Sequence, residues 1–437
     1  MRATFVHTAD NHLGYEQYGL KERFNDFARA FFSVVDAAIE RRANAFIIAG
    51  DLFNKRAIDA LTLIQAQTGF QKLKDAGIPA IAIEGNHDRS YYRDGVSWLQ
   101  FLCWQKLLIL LNPLMEDGVP QLTPWNPEIQ RGAYVDLNEG KFRIYGLPWY
   151  GANTARVMAA FADVLIAHER QEREAGVEYR LLMMHTGVEG IVPQMHGLPT
   201  YEEFQPLRGL VDYVALGHVH KNYSRDHWLY NPGSTETWGA EESAWERGYY
   251  VASVDTDVPE GEPRHSVEHL VNPRRPFLRF QFRVDGLPDP TALYDRFARH
   301  CAGWAAEHRE LDGTEPVIDI ALQGILGFDS TAYERARLED IVREHFRPLT
   351  VRIHDGTRAT DYELDEMDED GSATDRAMLQ QLELHVFQEL IARDARYLPA
   401  APQWAKLLAE VKQMALSGED PASIVRRLRE SRAEFLS

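Results

Sequence analysis

The chain of 437 residues is too long for one hydrophobic core, which predicts two or three domains. Its formal net charge of −19 argues against a protein that holds nucleic acid by overall positive charge. Residues 1–240, however, carry 23 Lys and Arg against 28 Asp and Glu, a balance of only −5, so a polyanionic substrate is not excluded there. The two cysteines, Cys103 and Cys301, argue against a disulfide scaffold, and the most apolar segment, 95–111, is too short and too polar for a membrane span.

Five short apolar runs in the first 220 residues predict buried, parallel β-strands. Helical patterns lie between these runs: the apolar side chains of Phe24, Phe27, Phe31 and Val35 recur at helical spacing, and the segment 59–77 ends in a pattern typical of a helix C-terminus. Strands that alternate with helices predict a layered α/β domain. The predicted strands are 3–9, 45–50, 78–85, 179–185 and 212–217.

The second half of the chain has a different organisation. After Trp238 the pattern is that of β-strands, and Pro273 and Pro276 then enclose two arginines that indicate a domain junction. Strands and helices are mixed as far as residue 360, which predicts a small α+β domain. Seven of the ten residues 361–370 are acidic, which is typical of a solvated linker, and the tail beyond them has helical patterns. The predicted domains are therefore 1–272, 273–360 and 361–437.

Each predicted strand in the first domain ends in side chains that can bind a metal ion. In a parallel sheet the carboxyl ends of the strands lie together at one edge, so groups spread over half of the chain should converge there. Turn and capping chemistry could account for any one of these residues, but the ordered set favours a metal site. The candidate ligands are Asp10, His12, Asp51, Asn86, His185, His218 and His220.

The chemistry of these donors indicates which metal ions they can bind, and how many. Two carboxylates, one amide oxygen and four imidazoles, without a thiolate, suit Mn, Fe or Zn. Seven donors are too many for one ion, so two ions are expected, and Asp51 is the natural bridge because a carboxylate offers one oxygen to each. A pair of divalent cations is the arrangement used for in-line phosphoryl displacement.

The order Asp-x-His, Gly-Asp, Gly-Asn-His-Asp, His, Gly-His-x-His resembles that of the calcineurin-like metallophosphoesterase superfamily. The stretches "HTADNHLGY", "LGHVH" and "NPGSTE" resemble its SbcD branch, which is homologous to the double-strand-break repair nuclease subunit of archaea and eukaryotes. The resemblance implies a metallophosphoesterase β-sandwich flanked by helices in 1–272. It also implies a capping domain in 273–360 that helps to fix DNA and a helical tail in 361–437 that grips an SbcC-type ATPase.

The resemblance also implies individual roles. His87 would face the scissile phosphate, steady its charge and give a proton to the leaving oxygen. Asp88 is placed to orient the His87 ring, or it could stabilise the turn, as aspartate commonly does. One metal ion would be held by Asp10, His12, Asp51 and His220. The other would be held by Asp51, Asn86, His185 and His218.

Two surface features admit two interpretations each. Cations and tyrosines after the second and third strands could contact phosphates and stack on bases, or could form an ordinary solvated loop. The apolar run from Trp98 to Leu111 could be a core helix followed by a strand, or could take part in the homodimer that the resemblance implies. The candidate DNA contacts are Lys55, Arg56, Arg89, Tyr91, Tyr92 and Arg93.

The donor set and the resemblance together predict a DNA nuclease with two Mn²⁺ ions. The resemblance implies exonuclease action on duplex ends and endonuclease action on single strands or hairpins. Its expected partners are DNA, an SbcC-type ATPase and a second copy of the chain, and its expected location is cytoplasmic and nucleoid-associated, without a membrane. Two alternatives stay open. One is a phosphodiesterase or phosphatase for small substrates with the same metals, and the other is a DNA-tethering subunit with a vestigial site.

Overall fold

The computed structural model describes residues 1–90, 95–259, 261–311, 313–359, 400–417 and 420–435, together with a few residues between 383 and 397. The predicted acidic linker and the predicted DNA contacts Tyr91, Tyr92 and Arg93 lie outside the described residues. The chain divides into two compact units, Met1–Ala359 and Thr360–Ser437.

The strands of the described residues all belong to the first unit. In chain order they are β1 (Arg2–Thr8), β2 (Ala45–Ile48), β3 (Ala80–Ala82), β4 (Ile109–Leu110), β5 (Leu114–Glu116), β6 (Val119–Gln121), β7 (Tyr134–Leu137), β8 (Phe142–Leu147), β9 (Tyr179–Met184), β10 (Tyr213–Leu216), β11 (Tyr223–Arg225), β12 (Leu229–Asn231), β13 (Gly248–Asp255), β14 (His265–Val271), β15 (Phe277–Arg283), β16 (Val317–Leu326) and β17 (Thr350–Ala359).

The α-helices of the first unit separate many of these strands. They are α1 (Lys21–Glu40), α2 (Ala60–Asp75), α3 (Trp98–Trp104), α4 (Thr154–Glu174), α5 (Tyr201–Phe204), α6 (Pro290–Glu307) and α7 (Arg335–Phe346). The second unit contains α8 (Ala401–Leu416) and α9 (Pro421–Phe435). None of the helices that the structure describes combines the length and the apolar character that a membrane span requires.

Two six-stranded sheets carry most of the first unit. Their strand orders are β14-β13-β1-β2-β3-β4 and β11-β12-β10-β9-β8-β7. The strands from β1 to β4 are parallel because helical crossovers connect β1 to β2, β2 to β3 and β3 to β4, whereas β13 and β14 form an antiparallel hairpin at the other side. The predicted strand segments near residues 3, 45, 78, 179 and 212 are all confirmed as β1, β2, β3, β9 and β10.

The two sheets pack face to face, and helices cover their outer faces. Phe5, Ile47 and Ile81 point inward from the first sheet and form one core cluster with Leu181 and Ala215 of the second. Residues of opposite parity face outward, against α1 and α2 on one side and α4 on the other. Full burial of each such side chain contributes roughly 1.5–3 kcal/mol. The predicted helix-flanked β-sandwich is therefore confirmed.

One detail of the predicted topology was wrong. The five ligand-bearing strands do not share one sheet, because β1, β2 and β3 belong to the first sheet and β9 and β10 to the second. Their carboxyl ends still meet, since Asp10 at the end of β1 is hydrogen-bonded to the backbone N–H of His218 after β10 at 3.0 Å. The site lies across the two sheets of the sandwich rather than at the edge of one sheet.

The helices follow local sequence rules. Phe24, Phe27, Phe31 and Val35 of α1 are all buried, as their helical spacing predicts. Asp59 caps α2 by accepting a hydrogen bond from the Thr62 N–H at 2.7 Å, and lysines occupy its last turn, where they complement the helix dipole.

The segment after residue 273 forms a smaller parallel sheet in the order β15-β16-β17. One face of this sheet packs on α6 and α7 through a core that includes Phe282, Ile320, Ile353, Phe297 and Val342. Residues of the opposite parity lie on the other face and are largely polar, which is the alternation expected when only one face of a sheet is covered.

In the second unit, α8 packs against α9. The rings of Trp404 and Phe435 meet edge to face with centroids 5.2 Å apart. Arg427 donates two hydrogen bonds to the Glu410 carboxylate, at 2.9 and 2.8 Å. These contacts define a helical hairpin.

Candidate metal centre

The turns that carry the candidate ligands have an unusual backbone. Asp10, His12, Asp51 and His218 have φ angles of 51°, 49°, 52° and 78°, in the left-handed region. Such conformations are uncommon outside glycine and cluster at functional sites, because the surrounding structure must hold them in place. Here the backbone supplies part of that hold, since the N–H of Asp10 donates to the Gly50 carbonyl at 3.1 Å and the N–H of His12 to that of Asp51 at 3.2 Å.

Two glycines allow the ligands to approach one another. A Cβ atom at Gly85 would lie 2.1 Å from Oδ1 of Asp51. A Cβ atom at Gly50, whose φ is +91°, would lie 2.3 Å from Nδ1 of His185. Any side chain at either position would therefore collide with a candidate ligand, so glycine is required there by close packing.

One donor group consists of Asp10, His12 and His220, with one ligand atom of each within 4.8 Å of the others. The Nε2 atoms of His12 and His220 are 3.0 Å apart. Two ring nitrogens at this distance cannot both present lone pairs to each other, so either a proton or a cation must lie where they converge. This contact fits a shared metal ion.

A second donor group consists of Asp51, His185 and His218, also within 4.8 Å of one another. Oδ1 of Asn86 completes it, at 3.1 Å from Nε2 of His185 and 3.0 Å from Nδ1 of His218. Oδ2 of Asp51 is 3.3 Å from the same Nε2 of His185. Because Nδ1 of His185 bonds the Ala49 carbonyl at 2.7 Å, it carries the proton and leaves Nε2 as the ligand atom.

Asp51 connects the donor groups. Besides the second group, it forms a third with His12 and His87, whose ligand atoms again lie within 4.8 Å of one another. Its Oδ1 accepts a hydrogen bond from the His87 N–H at 2.9 Å, while Oδ2 faces His185. One carboxylate thus lies between the two clusters of imidazoles, as a bridging ligand would.

The surroundings of most donors favour the protonation state that binds a metal ion, which is a neutral imidazole or an ionised carboxylate. Burial lowers the pKa of His12 well below its ordinary value and that of His218 to about 3, so both rings are neutral at pH 7. Burial alone would raise the pKa of Asp51, but His185, His12 and His87 lower it below the ordinary range. Burial lowers the pKa of His185, yet Asp51 and Asp10 raise it to about 9. A cation bound at Nε2 would take the place of the proton there. The donor set as a whole fits two divalent cations.

His87 lies beside this centre, half-buried, with its ring centroid 5.1 Å from that of His12. Its Nδ1 is 2.6 Å from the carbonyl oxygen of Asn54. A carbonyl only accepts hydrogen bonds, so Nδ1 carries the proton and Nε2 is the nitrogen available for a reacting group. The backbone of Asn54 therefore sets the orientation of this imidazole.

Of the two interpretations of Asp88, orientation of the His87 ring is wrong, and the observed contacts are those of a residue that stabilises the loops. Its carboxylate is buried and does not hold the His87 ring. It accepts hydrogen bonds from the backbone N–H groups of Leu52, Phe53 and Gly85, at 3.3, 3.0 and 3.0 Å. Asp88 thus ties the loop after β2 to the loop after β3. It fixes Asp51 relative to Asn86 and His87 through the backbone.

Two further side chains, which the sequence patterns did not single out, support the ligands. Trp238 lies against the rings of His12 and His220, with centroids 6.0 and 5.6 Å away, and its Nε1–H donates to Oδ1 of Asn54 at 2.9 Å. Glu242 accepts a hydrogen bond from Nδ1 of His220 at 2.7 Å. For Trp238, the available signal in the sequence was an aromatic residue directly after "NPGSTET". Glu242 belongs to an ordinary acidic cluster, so no sequence pattern distinguishes it.

The predicted DNA contacts inside the described residues are exposed. Lys55 and Arg56 follow Asp51 on the loop after β2. The guanidinium of Arg89 lies over the ring of Trp149, 5.5 Å from its centroid. These cations lie on the loops that carry Asp51 and His87.

Comparison with known proteins defines the class. The model of the calcineurin-like phosphoesterase family matches residues 3–222, which is half of the chain. The chain belongs to this family.

Two curated relatives show which members of this family the chain is similar to. The chain is 29% identical over 249 residues to the DNA double-strand break repair protein Mre11 of Archaeoglobus fulgidus, covering 55% of this chain and 52% of that protein. It is 46% identical over 217 residues to the Mre11 of Methanococcus maripaludis, covering 50% of this chain and 51% of that protein. The chain thus spans about half the length of these relatives. Among solved structures, the calcineurin-like phosphoesterase YfkN of Bacillus subtilis aligns with a TM-score of 0.40 and 14% identity, over 62% of this chain and 93% of that one.

Proposed function

We propose that this protein is a Mn²⁺-dependent DNA nuclease that hydrolyses phosphodiester bonds in double-strand-break repair, as an exonuclease on duplex ends and an endonuclease on single strands and hairpins. The observation that carries the proposal is the position of Asp51 between two imidazole clusters, with His87 beside it. The family match and the two relatives named as double-strand break repair proteins support it.

The proposed chemistry divides between the metals and the chain. Bound between these donors, two divalent cations would neutralise phosphoryl charge and acidify a water molecule. The chain itself holds the His87 ring by its Nδ1–H, so that Nε2 is free to give a proton that it carries to the leaving oxygen. Asp10, His12, Asp51 and His220 would hold one ion, and Asp51, Asn86, His185 and His218 the other.

The direct test is incubation of the protein with end-labelled duplex, hairpin and single-stranded DNA, separately with Mn²⁺, Mg²⁺ and Zn²⁺. Cleavage with Mn²⁺ at rates above those with the other ions is expected. Rapid turnover of a small phosphodiester without cleavage of any DNA would favour the small-substrate alternative. Binding of DNA without turnover of either substrate would favour the vestigial tethering subunit.

We further propose that residues 273–360 cap the site and contact the DNA backbone. Arg352 and Arg358 lie on the face of the β15–β17 sheet opposite α6 and α7, and both are exposed. The Arg352 guanidinium also lies 5.1 Å from the ring centroid of Tyr18, so this face contacts the segment that follows His12. Asp319, the buried acid on this face, is already paired with His354 at 2.7 Å.

Charge reversal tests this contact. The double variant Arg352→Glu, Arg358→Glu is expected to bind duplex DNA more weakly and to lower the slope of log affinity against log salt by about 2, because each lost phosphate contact removes roughly 0.9. Turnover of a small diester should not change. Arg343→Glu, on α7 at the opposite face, is the matched control. Equal DNA affinity and salt slope for the double variant and the wild type would refute the cap contact.

The homodimer remains a proposal that the exposed apolar residues of α2 and α3 support. Leu61, Ile64 and Trp104 are 47%, 55% and 47% exposed, whereas Leu99 and Leu102 of α3 are buried in the core. We expect sedimentation velocity at micromolar concentration to show a dimer, and Trp104→Lys to shift it toward monomer because a buried charge would oppose association. A wild-type monomer at that concentration would refute the dimer.

An SbcC-type ATPase is the proposed partner of the second unit, and the proposed location is the nucleoid in the cytoplasm. Phe435 packs on Trp404 inside the hairpin, which reduces its access to a partner, and Ile424 and Leu428 are half-buried. Val425 and Leu408, 46% and 36% exposed, offer apolar contacts for a coiled coil instead. Co-purification of the full chain with the ATPase coiled coil, with and without Val425→Glu, tests this contact.

A further inference from the structure

Glu242 lies outside the set of candidate ligands but contacts one of them directly. It ends a short 3₁₀ turn, Ala240–Glu242, that precedes β13. Its Oε1 is 2.7 Å from Nδ1 of His220, and its Oε2 is 3.1 Å from Nη2 of Arg247. The carboxylate thus bridges an imidazole and a guanidinium.

Arg247 contacts both the Glu242 carboxylate and the turn that carries His220. It is fully buried, which is costly for a guanidinium unless partners surround it. Its Nη1 donates to the carbonyl of His220 at 2.9 Å and to Oγ of Ser234 at 2.6 Å, and its Nη2 donates to the carbonyl of Glu242 at 2.6 Å. Arg247 is therefore hydrogen-bonded to the backbone of both residues of the Glu242–His220 pair and fixes their relative position.

The domain junction reaches the same turn. Nη2 of Arg274 donates to the carbonyl of Ser243, directly after Glu242, at 3.3 Å, and its Nη1 donates to Oγ1 of Thr237. The backbone N–H of Asn272 donates to the carbonyl of Arg247 at 2.7 Å. The residues between β14 and β15 thus support the turn that carries Glu242.

We propose that Glu242 is a positioning residue of the metal centre. Because a carboxylate accepts, the bond to Oε1 places the His220 proton on Nδ1 and leaves Nε2, 3.0 Å from Nε2 of His12, as the ligand atom. A carboxylate behind a metal-bound histidine fixes its tautomer and orientation, and its loss typically weakens metal binding by about 10–100-fold. The inference rests on the metal centre of the proposed function.

The test is Mn²⁺ titration of the full chain, with free Mn²⁺ followed by electron paramagnetic resonance at constant pH. The wild type is expected to bind two ions. Glu242→Ala should bind one of them about 10–100-fold more weakly and the other unchanged, and the spectrum of a spin-coupled pair should give way to that of a single ion. Glu242→Gln keeps an acceptor oxygen of the same reach, so its loss should be smaller than that of the alanine variant.

Asp136→Asn is the matched control, because it disturbs another partly buried carboxylate–arginine pair, with Arg143 at 2.6 Å, on β7 and β8. It should bind both ions as the wild type does. Two ions bound with wild-type affinity by Glu242→Ala would overturn the inference. If Glu242→Ala does not fold, Glu242→Gln decides, and wild-type affinity at both sites would then overturn it. A wild type that binds no Mn²⁺ would instead refute the metal centre itself.

Discussion

Replacement of Asp51 by asparagine is expected to lower phosphodiester hydrolysis by on the order of 10³–10⁴-fold, since the metal contribution to such reactions amounts to several kcal/mol. The asparagine side chain keeps the shape but loses the charge and one of the two acceptor oxygens. Asp51 belongs to two of the three donor groups, so we expect the affinity for both ions to fall. Steady-state hydrolysis and Mn²⁺ titration of the same preparation measure the two effects.

Asp59→Asn is the control for this variant. It makes the same chemical change eight residues away, at the cap of α2, where asparagine caps nearly as well as aspartate. Its metal stoichiometry and rate should equal those of the wild type. An Asp51→Asn protein that binds two ions as tightly as the wild type would show that Asp51 does not bridge them.

Replacement of His87 by alanine is expected to lower the rate by about 10²–10⁴-fold, the range typical of a lost general acid. The Asn54 carbonyl holds Nδ1, and Nε2 is thereby the only ring nitrogen that can pass a proton to the leaving oxygen. Both Mn²⁺ ions should remain bound. Hydrolysis of end-labelled duplex and hairpin DNA, together with metal stoichiometry, provides the measurement.

The metal count separates two roles for His87, because it lies close enough to His12 and Asp51 to serve as a ligand. Loss of one ion in His87→Ala would make it a ligand, and undiminished DNA cleavage would remove any role in the reaction. His196→Ala is the matched control, since the His196 side chain is 79% exposed and pairs only with Glu189, at 3.5 Å, among the ion pairs of the described residues.

The positions of the donors were predictable because each follows a short apolar run. Asp51 comes after "AFIIAG" and His218 after "DYVALG", so a strand followed by a glycine turn marks both places. The assignment of β9 and β10 to a second sheet was not predictable. Local periodicity identifies a buried strand, but strand neighbours depend on long-range packing that no local pattern encodes.

The supporting contacts escaped prediction for a related reason. Glu242 is 22 residues from His220 and belongs to an acidic turn that looks like ordinary surface. Asp88 follows His87 directly, yet its carboxylate turns away to three backbone N–H groups that only the folded loops bring together. The order of motifs along the chain predicted which residues form the metal centre. The hydrogen-bond partner of each side chain depends on how the loops fold, and the sequence patterns did not predict that.

The left-handed turns at Asp10, His12, Asp51 and His218 have a consequence for how the site would bind cations. Each such conformation costs on the order of 1–3 kcal/mol, which the contacts of the surrounding chain must offset in the folded protein. Because those contacts belong to the chain itself, we expect the donors to need little rearrangement when a cation binds. We then expect selectivity among cations to follow how well the preferred coordination of each ion matches these donor positions.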